Sequence, residues 1–295
     1  MRVGLELLEL ARSQRAHSIF VVGTGRDVGK TTTLRAIYAA ACERKLRVGV
    51  ASIGREGDML RNDLRRKPRL WLQPQTLFVT ARSVLPRTPA SEVLAISSLQ
   101  SPAGALVYAR VASSAFYELV GPPTASGIRE VVDQLASRSE IVTIDGAVDR
   151  IAALAGTAGA IVIAGGAATA NTMPEVVDEI AALVARLRTP AFDPQAPAIH
   201  IEGALLAGRI AALIADGETR QIVVRDPTQI GLSGRPALAA LARLRIRCLR
   251  PLRVIATTVA SIGPNRAFEP RAFAAAVAAA TGLPAFDVYA GTRAA

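Results

Sequence analysis

One segment near the N-terminus combines the residue types that bind phosphate. Glycines let several backbone N–H groups point into one anion-sized nest, and a following helix adds the positive end of its dipole. In this chemistry the Lys30 ammonium reaches the β- and γ-phosphates, and the Thr31 hydroxyl ligates Mg²⁺. The pattern predicts a nucleotide-binding loop. Its candidate contact residues are Gly23, Thr24, Gly25, Arg26, Asp27, Val28, Gly29, Lys30, Thr31 and Thr32.

The flanking sequence favours this interpretation over a chance Gly-Lys-Thr in a helical cap. The apolar run Ile19–Val22 predicts a buried strand before the loop, and 32–44 predicts a helix after it. The strict pattern is not met, because the residue six places before Lys30 is threonine and the glycine lies one place earlier. Only three of the 35 basic residues are lysines, so a lysine at position 30 indicates a need for a compact ammonium.

A phosphate loop also needs an acidic residue that orients Mg²⁺ from the end of a neighbouring strand. Asp145 follows the apolar run Ile141–Ile144 and precedes a glycine, so we predict it as a catalytic and metal-binding residue. The alternative is an aspartate that only caps a turn. Asp58, in the loop after the second predicted strand, is a further catalytic candidate, and Glu118, before a Gly-Pro turn, is a further metal candidate.

Composition bounds the class of protein. The 295 residues are 51% hydrophobic and 20% charged, enough to bury a large core. We expect a single domain of residues 1–295, with a seam near 189–197 as the alternative. The two cysteines and two histidines are isolated and predict neither a disulfide nor a zinc site. No segment resembles a signal peptide or a membrane span, so we expect a cytoplasmic protein without membrane contact.

Runs of apolar residues alternate with segments of helical length along most of the chain. Strands without a polar alternation are typical of parallel sheets that are covered on both faces. We therefore predict an α/β fold, a three-layer doubly wound mostly parallel sheet of the phosphate-loop NTPase type. The predicted strands are 19–22, 48–53, 76–80, 106–109, 141–144, 160–164, 198–201, 221–224 and 253–258, and the predicted helices after the loop are 32–44, 126–137, 173–188, 205–216, 236–243 and 270–281.

The net charge of +11 raises the question of nucleic-acid binding. One cluster of basic residues, 61–69, is followed by a single aromatic residue, Trp71, which is too few for a stacking platform. A second cluster, 243–253, alternates with apolar residues as a half-exposed strand does. These observations argue against nucleic acid as the main partner.

The block from Gly23 to Thr31 resembles the variant phosphate loop of dethiobiotin synthetase and cobyrinic acid amidating enzymes. The same class contains the partition and division-site ATPases, which carry a signature lysine five residues before the invariant one. That position is Gly25 here, which argues against a partition ATPase. Relatives with this loop are often dimers, so the resemblance is compatible with a homodimer.

Phrases elsewhere resemble the ATPases associated with adenosylcobalamin-dependent lysine and ornithine aminomutases. This resemblance implies ATP and Mg²⁺ as cofactors, an aminomutase as protein partner, and ATP-driven release of damaged cobalamin from that partner by conformational switching. Two alternatives stay open: a dethiobiotin synthetase-like ligase that phosphorylates a small carboxylate, and a nucleic-acid-associated ATPase. ATP is expected rather than GTP, because no Asn-Lys-x-Asp phrase occurs. The phrases are 51–57, 118–122, 144–150, 256–259 and 283–288.

Overall fold

The computed structural model describes residues 2–53, 69–85, 90–146, 159–291 and 293. The chain divides into two compact units, residues 1–21 with 30–153 and residues 22–29 with 154–295. The helices within the described ranges are α1 (Arg2–Ser13), α2 (Lys30–Glu43), α3 (Ala125–Ala136), α4 (Met173–Leu187), α5 (Ala207–Ala215), α6 (Gly234–Arg243) and α7 (Pro270–Thr281). The strands are β1 (Ser18–Gly23), β2 (Val48–Ser52), β3 (Leu70–Leu72), β4 (Leu77–Ala81), β5 (Ser91–Ser101), β6 (Gly104–Val111), β7 (Ala115–Tyr117), β8 (Ile141–Gly146), β9 (Ala160–Gly166), β10 (Ala198–His200), β11 (Gln221–Val224), β12 (Ile246–Cys248), β13 (Arg253–Ala260) and β14 (Ala285–Asp287).

The first unit contains a sheet in the order β1-β8-β2-β4-β6-β5. Strand β2 is parallel to both β8 and β4, whereas β6 is antiparallel to its neighbours β4 and β5. All residues of β1 and β2 are buried, as expected for apolar strands in the interior of a parallel sheet. A separate antiparallel ribbon pairs β3 with β7.

The second unit contains two groups of parallel strands, β14-β13-β9 and β10-β11-β12. The last two residues of β1 and the loop that follows it belong to this unit. Two of its helices begin at residues whose side chains accept hydrogen bonds from N–H groups of the first turn. At α4, Thr172 and Glu175 form a reciprocal capping box, and at α7 the Glu269 carboxylate accepts two backbone N–H groups.

The predicted α/β class with a mostly parallel sheet is confirmed. Every predicted strand and helix corresponds to an observed element, with ends that differ by a few residues. The predicted strands did not include β3, β5, β7, β12 and β14, although the alternation within 243–253 had indicated a half-exposed strand at β12. Strand β5 was missed because it is largely exposed and rich in serine, so it lacks the apolar run by which buried strands are found. The segment 189–197 lies within the second unit, and the single domain stays a prediction.

Helix α1 crosses α2 at a point where only glycine fits. A Cβ atom on Gly4 would lie 1.9 Å from the carbonyl oxygen of Ala36. We expect Gly4→Ala to lower the free energy of unfolding by about 1–3 kcal/mol, because the backbones must move apart. Gly208→Ala is the matched control, since nothing lies within 4 Å of its added Cβ on α5. This control should be neutral or stabilise by up to about 1 kcal/mol. Urea unfolding followed by circular dichroism measures both, and equal stability of the two variants would contradict the close crossing.

Candidate phosphate-binding site

The chain between β1 and α2 forms a tight loop whose last residues have unusual backbone angles. Asp27 and Gly29 have φ values of 54° and 80°, both in the left-handed region. Aspartate and glycine are residue types that adopt this region at low cost. Helix α2 begins directly afterwards at Lys30, so the N-terminal turn of the helix follows the loop without an intervening residue. This is the backbone arrangement that an anion at a helix N-terminus requires.

Contacts within the second unit hold this loop in place. The Thr24 N–H donates to the carbonyl oxygen of Ala164 on β9 at 2.9 Å, and the Val28 side chain is buried. Gly166 allows the loop to lie close to β9, because a Cβ atom on this residue would be only 3.0 Å from the Val28 Cα. A Cβ on Gly29 would lie 3.0 Å from a methyl group of Val288. The loop is therefore anchored at the carboxyl ends of strands, where parallel sheets bind ligands.

Two buried hydroxyl groups lie at this edge of the second unit without a hydrogen-bond partner in the described part of the chain. They are Thr24 Oγ1, in the loop, and Ser261 Oγ, directly after β13. A buried hydroxyl group without a partner costs free energy unless a ligand or water satisfies it. The Thr24 hydroxyl and the left-handed backbone beside α2 therefore fit a loop that holds a polar ligand such as a phosphate chain.

Asp145 lies at the carboxyl end of β8, one strand away from β1 in the first unit. It is paired in register with Ser52 on β2, and its carbonyl oxygen accepts the Ile53 N–H at 2.8 Å. Neighbouring strands are about 4.8 Å apart, so β8 places this carboxylate close to the strand that leads into the loop. Helix α2, which carries Lys30 and Thr31, packs against β8. Carboxylate and hydroxyl oxygens are the ligands that Mg²⁺ prefers.

Glu118 lies further along the same edge of the first unit. Its carbonyl oxygen accepts the Thr80 hydroxyl at 2.7 Å, and that hydroxyl also accepts the Val120 N–H at 3.1 Å. Thr80 is on β4, which β2 separates from β8. Strands β4 and β8 are therefore about 10 Å apart, so the Glu118 backbone is bound at a strand that is not adjacent to the strand of Asp145. Its role as a metal ligand stays a prediction.

Several predicted residues lie outside the described residues. Asp58 is one of them, together with most of the phrases 51–57 and 144–150. Most of the first basic cluster, 61–68, also lies there, whereas Arg69 is described and exposed. In the second cluster the predicted alternation is confirmed. Ile246 and Cys248 are buried, and the residues between and beside them are partly or fully exposed.

The sequence-based prediction did not identify Asp287 as part of this region. Its fully buried carboxylate accepts the N–H groups of Ser261, Tyr289 and Ala290, at 3.2, 2.8 and 2.6 Å. It thereby joins the ends of β13 and β14 beside Val288, which borders Gly29. An aspartate at the end of an apolar strand, the signal that identified Asp145, would have found it. Because backbone donors occupy the carboxylate, we interpret Asp287 as a support of the loop.

The cysteines are not arranged for chemistry. Burial raises the pKa of the Cys248 thiol to about 11, and burial also raises the pKa of Cys42. Both thiols are therefore protonated and weakly nucleophilic near neutral pH. Among the described residues no group of three or more His, Cys, Asp or Glu side chains could hold a metal ion. None of the helices in those ranges combines the length and apolar character that a bilayer-spanning helix requires.

Comparison with known families gives one match. Residues 9–64 match the model of DUF1611, described as the DUF1611_C P-loop domain, a domain of unknown function. The matched segment contains β1, the loop, α2 and β2, and it covers less than half of the chain. No curated protein and no solved structure matches the chain. The match supports a P-loop NTPase-like protein and, with it, nucleotide binding; the roles of individual residues stay predictions.

Proposed function

We propose that this protein binds ATP with Mg²⁺ at residues 23–32 and hydrolyses it to ADP and inorganic phosphate. The main support is the loop itself, in which two left-handed residues lead directly into the helix that begins at Lys30. The position of Asp145 on the strand beside β1 supports the second half of the site. ATP rather than GTP is proposed because the sequence lacks a guanine-reading phrase.

Each residue has a distinct role in this proposal. Backbone N–H groups of the loop bind the phosphate chain, and the Lys30 ammonium neutralises charge on the β- and γ-phosphates as the bond between them breaks. Thr31 and Asp145 hold Mg²⁺, which supplies Lewis-acid stabilisation of the phosphate oxygens. Asp58 orients the attacking water. The water oxygen bonds to the γ-phosphorus, its proton is released, and ADP leaves.

We further propose that hydrolysis drives a conformational switch that reactivates an adenosylcobalamin-dependent aminomutase. This proposal is supported by the phrases that resemble those of the aminomutase-associated ATPases, among them 118–122, 256–259 and 283–288. A γ-phosphate that orders loops and is then lost is a well-known way to couple hydrolysis to a partner. No cobalamin chemistry is assigned to this chain, which lacks an Asp-x-His-x-x-Gly phrase.

The alternative is an ATP-dependent ligase of the dethiobiotin synthetase type, which needs hydroxyl and cationic groups above the γ-phosphate. Thr80, near the end of β4, carries a hydroxyl group of the required type. Its hydroxyl is almost fully buried and is used by Glu118 and Val120, so it supports the local backbone instead. Ser52 remains as a described hydroxyl near Asp145. The switch is therefore the better supported of the two proposals, and a nucleic-acid-associated ATPase is the third.

Phosphate release from ATP by the purified full chain tests these proposals, with and without Mg²⁺. We expect slow turnover by the protein alone and an acceleration of at least about tenfold by a lysine or ornithine aminomutase holoenzyme. A rate that no aminomutase changes would contradict reactivation. A burst of ADP that depends on a small carboxylate would favour the ligase, and stimulation by DNA with a steep salt dependence would favour the nucleic-acid alternative.

A further inference from the structure

Two large aromatic side chains form an exposed pair on the β3–β7 ribbon. Trp71 and Phe116 lie opposite each other in the register and are 49% and 53% exposed. Their rings meet edge to face, with centroids 4.9 Å apart and an interplanar angle of 67°. The other face of the ribbon is buried through Leu72 and Tyr117. Tryptophan is the residue type most enriched in binding hot spots, so an exposed aromatic pair of this kind indicates a contact surface.

The ends of β3 are tied to helix α2. Before the strand, Nη2 of Arg35 donates to the carbonyl oxygen of Arg69 at 2.8 Å. After the strand, the Gln73 N–H donates to the Tyr38 hydroxyl at 2.7 Å. Burial raises the pKa of Tyr38 to about 12, so this hydroxyl keeps its proton, and it is 2.7 Å from Thr76 Oγ1. Helix α2 is therefore hydrogen-bonded to the chain at both ends of β3, the strand that carries the exposed Trp71.

We propose that the Trp71–Phe116 pair is a docking surface for an acidic protein partner, and that helix α2 couples this surface to the nucleotide. The coupling rests on the proposed function, because it requires nucleotide at the N-terminus of α2. A displacement of α2 on phosphate binding would be carried by Arg35 and Tyr38 to both ends of β3. Coupling of this kind is reciprocal, so the partner also changes nucleotide affinity.

The charge around the pair argues for an acidic partner. Arg69 directly precedes β3 and lies two residues before Trp71 in the chain. Arg35 and Arg69 are both exposed and adjacent to each other. An aromatic centre with arginines at its rim is the composition of a protein–protein hot spot.

A single-stranded nucleic acid also combines aromatic and cationic contacts, but it needs ring faces on which successive bases can stack. Here the edge of one ring meets the face of the other, so the two rings form one compact apolar protrusion and do not offer parallel faces to successive bases. An acidic protein surface with an apolar recess fits this shape better than a row of bases does.

The first test uses the fluorescence of Trp71, which is the only tryptophan of the chain. We expect acrylamide quenching of the full chain to differ measurably between Mg·ADP and a Mg-bound non-hydrolysable ATP analogue. Arg35→Ala should reduce this difference, because only the Tyr38 contact then links α2 to β3, while it changes nucleotide affinity by less than about fivefold, the lower end of allosteric coupling factors. Arg44→Ala is the matched control, because Arg44 pairs with Glu9 at 2.7 Å instead of with the ribbon.

The outcomes of this test separate the two proposals. If nucleotide binds and Trp71 does not respond, or if Arg35→Ala keeps the full response, the coupling is wrong and the ATPase proposal stands. If no nucleotide binds, the ATPase proposal fails and the coupling fails with it. The docking surface is then judged by the second test alone, which needs no nucleotide.

The second test uses a random copolymer of glutamate and tyrosine as an acidic, aromatic protein-like probe. We expect the copolymer to shift or quench the Trp71 emission. Phe116→Ala should raise the copolymer concentration at half-saturation by about 30-fold, as for a hot-spot residue. Polyglutamate of the same length should bind more weakly. If polyglutamate has an equal effect, the surface binds anions without regard to aromatic groups. If an oligothymidylate has a stronger effect, the surface binds nucleic acid, and if the copolymer has no effect, an acidic partner is excluded. Each of these three results overturns the proposal.

Discussion

Lys30→Ala is expected to abolish nucleotide binding and turnover. Lys30 begins α2 at the end of the loop, and in the proposed site its ammonium would compensate phosphate charge that the backbone N–H groups alone cannot balance. Loss of one preorganised group that stabilises developing charge costs about 10²–10³ in rate, and affinity should fall with it. Equilibrium binding of a fluorescent ATP analogue and phosphate release measure the two effects.

A pair of arginine variants gives this prediction its control. Lys30→Arg should also be strongly impaired, because a planar guanidinium does not replace a compact ammonium inside a tight loop. Lys45→Arg should behave as the wild type, since Lys45 is exposed in the turn after α2. If Lys30→Arg were fully active, position 30 would not require a compact ammonium, and the argument from the scarcity of lysine in this chain would be wrong. Tight nucleotide binding by Lys30→Ala would contradict the loop assignment itself.

Asp145→Asn is expected to leave nucleotide binding nearly intact and to remove Mg²⁺-dependent hydrolysis. The substitution keeps the shape of the side chain but removes the charge that would hold the metal ion in the proposed site, while the backbone pairing of β8 with β2 is unaffected. We expect the turnover rate to fall by about 10²–10⁴ and the nucleotide affinity to change by less than about tenfold. Measuring the turnover rate over a range of Mg²⁺ concentrations distinguishes two causes: high Mg²⁺ restores the rate if only metal affinity is reduced, and does not restore it if the chemical step is lost.

Asp133→Asn is the matched control for the charge change, because Asp133 is exposed on α3 in the same unit. Its turnover and Mg²⁺ dependence should equal those of the wild type. If Asp145→Asn hydrolysed ATP at the normal rate, Asp145 would only cap the end of its strand, and Glu118 or Asp58 would become the first residues to examine as metal ligands.

The amino-acid sequence was sufficient for the elements whose signal is local. The loop was predicted because its glycines and Lys30-Thr31 lie between an apolar run and a helical segment, and each of these features is contiguous in the chain. The buried strands β1, β2 and β8 were predicted for the same reason. Asp145 could be selected because an aspartate at the end of an apolar strand lies at the edge where parallel sheets bind ligands.

The tertiary structure decided which of these residues meet. The order β1-β8-β2-β4 places Asp145 beside the strand that leads into the loop, whereas Thr80, which binds the Glu118 backbone, is on a strand that is not adjacent to β8. Strand order depends on long-range pairing that local periodicity does not encode. Long-range pairing also brings Val28 into close contact with Gly166. It likewise brings Arg35 and Tyr38 into hydrogen bonds with the ends of the strand that carries Trp71. By itself the sequence determined the phosphate-binding loop, because its chemistry lies in nine adjacent residues. Only the fold decided what surrounds the loop, because those contacts join residues that are far apart in the chain.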